Sequence, residues 1–234
     1  MNSIAQMDAH ASLKRTARQA GLFYILLGLV APIAILYIPS QIKVKGDAVA
    51  TLKNIVDKES LFRIGISAQL IGQALSVFVV LLLFKLFKNV HTYKAVGMVI
   101  LSVVGIPIVF VMEAMNITAI LIAKGEIFKS FDATQAQDMV MLFLKIHDNG
   151  MMIVQIFWGL WLLPFGELII RSGFIPRIFG ILLILNGIAY MLASLVFIIW
   201  PGSVESFTQY TFPFYFGEVA IMLWLLVKGI RNTK

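Results

Sequence analysis

The chain has 234 residues, 60% hydrophobic and 13% charged, with a net charge of +7 and no cysteine. Soluble domains carry roughly 45–50% apolar and about 25% charged residues, so this composition excludes a soluble globular enzyme, a disordered chain and a disulfide scaffold. Without cysteine there is also no thiolate metal site, iron–sulfur cluster or thiol nucleophile.

A transmembrane helix needs about 20 mostly apolar residues. Six stretches qualify, at 19–39, 61–86, 95–123, 150–170, 178–200 and 212–229, and predict an all-α polytopic bundle. Residues 19–229 read as a single six-helix membrane domain, flanked by tails at 1–18 and 230–234. The first span has no small-x-small cleavage site and ends in Tyr37-Ile38-Pro39-Ser40, so it reads as retained. After it, Val49, Leu52 and Val56 recur at helical spacing and predict a short amphipathic helix over 48–56 on the outer interface. The stretch 133–146 is similar. Asp132 reads as its N-cap with Gln135 three residues on, Met139, Phe143 and Ile146 form its apolar side, and Asp148-Asn149-Gly150 ends it. A long helix continuing through Gly150 is the competing reading. Between spans four and five, Gly173 supplies a turn and Pro176 opens the next helix.

Basic residues orient the spans. Lys14, Arg15, Arg18, Lys85, Lys88, Lys94, Arg171, Arg177, Lys228, Arg231 and Lys234 fall on one side, eleven of the 19 Lys and Arg. The opposite side has Lys43, Lys45, Lys53, Lys58, Lys124 and Lys129, interleaved with Asp47, Asp57, Glu59, Glu126, Asp132 and Asp138. Both termini are therefore expected in the cytoplasm, with the protein in the plasma membrane. The charge is a topology signal; nucleic-acid binding would need a clustered basic face, and none is expected.

Between helices in lipid, small and polar residues mark the packed faces. Gly65, Gln69, Gly72, Gln73 and Ser76 share a face of span two. Ser102, Gly105, Glu113 and Asn116 share one of span three. Asp148, Gln155, Gly159 and Gly166 line up on span four, and Gly180, Gly187 and Ser194 on span five. Gly21 and Gly28 match the spacing of Gly180 and Gly187, so the chain can be laid out as three parallel two-helix repeats. Chance likeness of glycine-containing apolar helices explains the match equally well.

Arg63, Gln69, Gln73, Glu113, Asn116, His147, Asp148 and Glu218 fall toward the outer ends of their spans, and Gln155 nearer the middle. An ionised side chain in hydrocarbon costs at least about 2.5–3.5 kcal/mol, so Glu113 and Glu218 are expected to turn inward to partners or water, or to hold a proton, and the nine to line a polar pocket open to the outer leaflet. Arg63 is the expected counter-ion of Glu113 or Glu218. Glu167 and Arg171, four apart, read as a helical pair, and Asn186 as a bond to a neighbouring helix. His147 and Asp148 are adjacent and do not face each other along a helix. They read either as a polar cap at the water interface or as parts of a site completed by Glu113 or Glu218. No metal site, cofactor or catalytic residue is assigned: there is no H-E-x-x-H, nucleophile elbow, Walker or dinucleotide fingerprint. The methionines read as flexible packing.

Glu59-Ser60-Leu61-Phe62-Arg63 leading to Gly72-Gln73, the segment from Pro107 to Asn116, and His147-Asp148 followed by Gly159-Leu160-Trp161 resemble a family of prokaryotic multi-pass proteins. So do Ser172-Gly173-Phe174-Ile175-Pro176-Arg177 with Gly180-Ile181-Leu182, and the closing Gly217-Glu218 to Lys228. The family is catalogued as domain of unknown function 4386, and the likeness covers roughly 12–230. It implies an integral membrane protein of about six helices and carries no activity, cofactor or catalytic residue.

Three functions stay open. The leading one is a bundle that binds or translocates a small polar or lipid-like ligand through the outward pocket. A structural or accessory membrane protein without ligand is the alternative, and an acid–base enzyme on a lipid-like substrate the third. The lipid bilayer is the one partner the composition demands.

Overall fold

The computed structural model describes residues 3–231; Lys234 and the outermost ends of both tails lie outside the described residues. Among those described there are helices and turns and no strand. Six helical stretches are long and apolar enough to cross a membrane: His10–Ile42, Glu59–Phe87, Thr92–Ala123, Ala133–Ser172, Arg177–Ile199 and Pro201–Val227. Each contains most or all of one expected span. Large apolar side chains such as Leu29, Phe78, Ile100 and Leu223 are about half exposed on them, as suits a surface solvated by lipid rather than water.

Two prolines shape the first stretch. Helix α1, Ser3–Pro32, continues residues 3–18 directly into the span. It widens into a π-helical turn at Ile33–Tyr37 and resumes as α2, Ile38–Ile42. Pro39 has no N–H for the carbonyl one turn back, and the ladder shifts there so that the Ile38 N–H reaches the Ile33 carbonyl. Helix α3, Ala48–Asp57, starts at Asp47, whose carboxylate accepts the Ala50 N–H at 2.8 Å, a cap worth about 1 kcal/mol. The expected amphipathic helix is present, but its face differs. Thr51 and Ile55 are buried with Leu52 packed beside them, while Val49 and Val56 are exposed. Spacing alone does not say which side of so short a helix meets the neighbour.

Helix α4 runs Glu59–Phe87 and α5 Thr92–Ala123. Helix α6 spans Ala133–Leu160 and passes straight through Asp148-Asn149-Gly150, where a stop was expected. The interruption falls instead at Trp161, before α7, Leu162–Ser172. Gly in a helix costs about 1 kcal/mol, which packing overrides; Pro costs about 3 and removes a bond. Pro164 leaves the Leu160 carbonyl without its donor, and the ladder loosens there. The N-terminus of α6 is as expected: Asp132 accepts the Thr134 and Gln135 N–H groups at 2.9 Å, and Gln135 Oε1 accepts the Asp132 N–H at 3.1 Å. Met139 and Phe143 pack against the core as expected, beside the fully buried Val140 and Leu144, while Ile146 is exposed. Gly173, φ +70°, caps α7, and Pro176 precedes α8, Arg177–Ile199. Helices α9, Val204–Thr211, and α10, Phe216–Val227, close the chain.

The chain divides into two compact units. The first comprises residues up to 27, 75–105 and from 154 onward. Its core gathers Tyr24, Leu83, Phe87, Met98, Phe165, Leu168, Ile169, Leu183 and Leu225. Antiparallel α7 and α8 approach at backbone distance: Gly166 faces the Gly180 carbonyl, and Gly187 the carbonyl of Gly159 at the end of α6. Gly21 of α1 lies against the backbone of Leu225 and Leu226 in α10. The second unit comprises 28–74 and 106–153, with a core of Ile38, Ile42, Ile55, Phe62, Ile120, Val140 and Leu144.

Candidate functional site: a linked Glu–His–Asp–Lys chain

In the second unit, α5 carries Glu113 and Asn116 three residues apart, on one face. Both are buried, 4% exposed. Asn116 Nδ2 donates to Glu113 Oε2 at 3.0 Å. The other carboxylate oxygen, Oε1, lies 3.2 Å from His147 Nε2 on α6. His147 Nδ1 in turn lies 3.0 Å from Asp148 Oδ1, and the Lys43 ammonium, just past α2, bonds that same Asp148 oxygen. Asp148 is about half exposed and Glu113 almost fully buried, so the four side chains form one line from accessible surface to interior.

The His147–Asp148 contact corrects the expectation that neighbours on a helix do not meet. Nδ1 is only two bonds from Cβ, and Lys43 holds the Asp148 carboxylate beside it. Continuity of α6 through Gly150 makes this possible, because both residues stay in regular helix.

Proton counting defines what the site does chemically. Two bonds, one on each ring nitrogen, each need one proton. A neutral imidazole brings one, and ionised carboxylates bring none. Both contacts are satisfied at once when the group holds one proton more than a neutral imidazole between two ionised carboxylates. With that proton, two carboxylates face an imidazolium and an ammonium, and the group is neutral. Without it the group carries −1 in a place where a lone charge is costly. Asn116 Oδ1 adds a buried acceptor that no described group satisfies.

The remaining expected pocket residues divide between the units. Gln69 of α4 is buried in the second unit, and Gln73, partly buried, belongs to it too. Arg63, expected opposite Glu113 or Glu218, is exposed and donates to Glu59 Oε1 one turn earlier, at 2.7 Å. Lys124 joins Glu59 at 3.1 Å and Glu126 at 2.7 Å. Those carboxylates, Glu126 first, hold the Lys124 ammonium above the ordinary lysine range. Arg63 is a short-range ion-pair residue because Glu59 lies within one helical turn, whereas a partner on another helix requires that helix to pack alongside.

Gln155 and Glu218 belong to the first unit. There the Tyr24 hydroxyl donates to Glu218 Oε1, and Asn186 Nδ2 donates to Oε2 at 3.0 Å. Tyr190, one turn after Asn186, stacks on Tyr215 with centroids 4.7 Å apart. The expected interhelical bond of Asn186 is thus present. Glu167 pairs with Lys94 rather than Arg171, since its side chain turns toward α5 and not along its own helix. Sequence reasoning missed Tyr24, Tyr190 and Lys43. A tyrosine one turn from Gly21, in a span otherwise aliphatic and aromatic, was the available sign for Tyr24. Lys43 offered none beyond its position before Gly46. Among the described residues, no three His, Asp or Glu side chains are arranged to hold a metal ion.

The family model described as Domain of unknown function (DUF4386) matches residues 19–229. An uncharacterized protein of Archaeoglobus fulgidus is 26% identical over 147 residues, covering 58% of this chain and 88% of that protein. No solved structure matches.

Proposed function

Because the chain belongs to the family of Domain of unknown function DUF4386, whose description carries no activity, we propose a function from its own side chains: a multi-pass membrane protein that binds a small polar cation at Glu113, His147 and Asp148 and translocates it in exchange for a proton. The observation that carries this reading is the double contact of His147, 3.2 Å to Glu113 and 3.0 Å to Asp148. Departure of one proton breaks one of these bonds and leaves a net −1. A small cation with N–H groups restores neutrality and satisfies Asn116 Oδ1. Asp148 and Lys43 form the accessible end through which it enters. Gln69 and Gln73 of α4 and Arg63 belong to the same unit; Gln155 and Glu218 belong to the other, where Glu218 serves a separate helix lock. The reading has both termini in the cytoplasm and the site toward the outer face of the plasma membrane, supported by the Lys and Arg bias of the short connections.

Guanidinium is a suitable probe, since it keeps its charge at every working pH. Proteoliposomes holding a trapped pH indicator receive a guanidinium pulse. Entry against an outgoing proton alkalinises the lumen, and Glu113→Gln or His147→Gln abolishes the change. A wild-type response no larger than that of protein-free vesicles overturns the exchange reading.

An accessory role without ligand is the second reading. It is favoured by Glu218, whose two oxygens are both taken up by Tyr24 and Asn186, a contact suited to locking helices.

A further inference from the structure

Five cationic side chains gather where the middle of α1 meets the end of α10, in the first unit. Lys14, Arg15 and Arg18 come from α1, Lys228 and Arg231 from the residues after α10. Among the described residues, none is paired with a carboxylate. The chain end is folded into place. Gly229, φ +68°, reverses the backbone and bonds the Trp224 carbonyl at 3.0 Å, a left-handed cap that favours glycine. Ile230 is then buried, and the Arg231 N–H donates to the Phe174 carbonyl at 2.8 Å. This sets the Arg231 guanidinium over the Trp224 ring, 4.8 Å from its centroid, and Arg18 donates to the Val227 carbonyl at 3.2 Å.

Two adjoining clefts result. One, of about 380 Å³, is lined by Lys14, Trp224, Lys228, Ile230 and Arg231. The other, of about 430 Å³, is walled by Lys14, Arg15 and Arg18 together with the apolar Leu22 and Leu226. Lys14 belongs to both. The indole Nε1–H of Trp224 is buried and meets no acceptor among the described residues, which is costly for a donor in an apolar span.

We propose that these clefts hold the phosphate headgroup of an anionic membrane lipid, with the phosphate between Lys14, Arg231 and the Trp224 N–H and an acyl chain along Leu22 and Leu226. A phosphate oxygen supplies the acceptor the indole lacks, and its charge meets cations that have no carboxylate. The apolar walls argue for a lipid over a free anion. Basic pockets between transmembrane helices are recurrent sites for such headgroups. This site is independent of the Glu113–His147 chemistry.

The test uses the full chain in a non-ionic detergent. Phosphatidylglycerol and phosphatidylcholine with identical acyl chains, and inorganic phosphate, are titrated separately. Bound lipid is counted by native mass spectrometry, and thermal unfolding is followed in parallel. Phosphatidylglycerol is expected to remain bound and raise the unfolding midpoint, and phosphatidylcholine to do neither. Lys14→Gln or Arg231→Gln weakens phosphatidylglycerol binding about fivefold each, the effect of one juxtamembrane charge. Trp224→Phe weakens it while keeping the ring and the fold. Lys85→Gln/Lys88→Gln, which removes two exposed charges elsewhere, leaves it unchanged. Equal binding of both lipids, or equal losses in the Lys14 and Lys85/Lys88 variants, overturns the site. Phosphate binding without preference for the anionic lipid overturns the lipid assignment.

Discussion

Gly187 of α8 sits directly on the backbone of Gly159: a Cβ placed on Gly187 would stand 2.7 Å from the Gly159 carbonyl oxygen. One helical repeat further, Gly166 and Gly180 meet in the same manner. Backbone cannot retreat as a flexible side chain does, so these positions tolerate nothing larger than hydrogen.

Gly187→Ala is therefore expected to destabilise by about 1–3 kcal/mol, the range of overpacked contacts. Gly97, in α5 with open space around it, provides the contrast. Gly97→Ala is expected to be neutral or to stabilise by about 0.5–1 kcal/mol, because alanine loses less backbone entropy in a helix. Unfolding by SDS from mixed micelles, followed by circular dichroism, measures both. Equal effects of the two substitutions would refute the close approach.

Tyr24→Phe removes the hydroxyl that donates to Glu218 and is expected to cost about 0.5–1.5 kcal/mol, the range of a single intramolecular hydrogen bond. Glu218→Gln keeps an acceptor for one of the two donors, so its cost is smaller. A double-mutant cycle isolates the coupling. Additive effects of the two changes would show that the residues do not interact.

Lys124 titrates higher than an ordinary lysine because Glu126 and Glu59 stabilise its ammonium form. At a given alkaline pH less of it is free amine, and acylation is slower. Acetic anhydride labelling at pH 9, read by mass spectrometry, is expected to modify Lys124 more slowly than Lys53. Glu126→Gln/Glu59→Gln brings the two rates together by lowering the Lys124 value. Rates already equal in the unaltered protein would contradict the ion-pair network.

The absence of native cysteine makes labelling clean. In intact cells or sealed right-side-out vesicles, a membrane-impermeant maleimide is expected to modify Asp148→Cys and Glu126→Cys, and to leave Lys88→Cys untouched until the membrane is opened. Gln69→Cys and Asn116→Cys are expected to react at least tenfold more slowly than Asp148→Cys, because both positions are buried. The reverse sidedness would invert the topology while leaving the helix assignments intact.

Much of the architecture was readable without coordinates. Span identity depends on about 20 consecutive apolar residues against a hydrocarbon layer of fixed thickness, a local property, and all six emerged. Caps and turns are local too: Asp132 with Gln135, and Gly173 before Pro176, fell where expected. The glycine stripes on spans four and five pointed to close packing because only small residues let two backbones approach. Even local logic had a gap, since Gly150 drew attention as a helix end while Pro164 is the residue that loosens the ladder.

The partner of each polar side chain was decided only by tertiary structure. Glu113, Asn116, His147 and Asp148 could be named as inward-facing, yet His147 meets Glu113 across 34 residues and Tyr24 meets Glu218 across 194. Which helices lie side by side, and at what rotation, follows from the packing of many weakly directional apolar contacts. No short stretch of sequence encodes that sum, and so Arg63 serves Glu59, while Lys43, which the sequence marks only as a topology charge, closes the line that begins at Glu113.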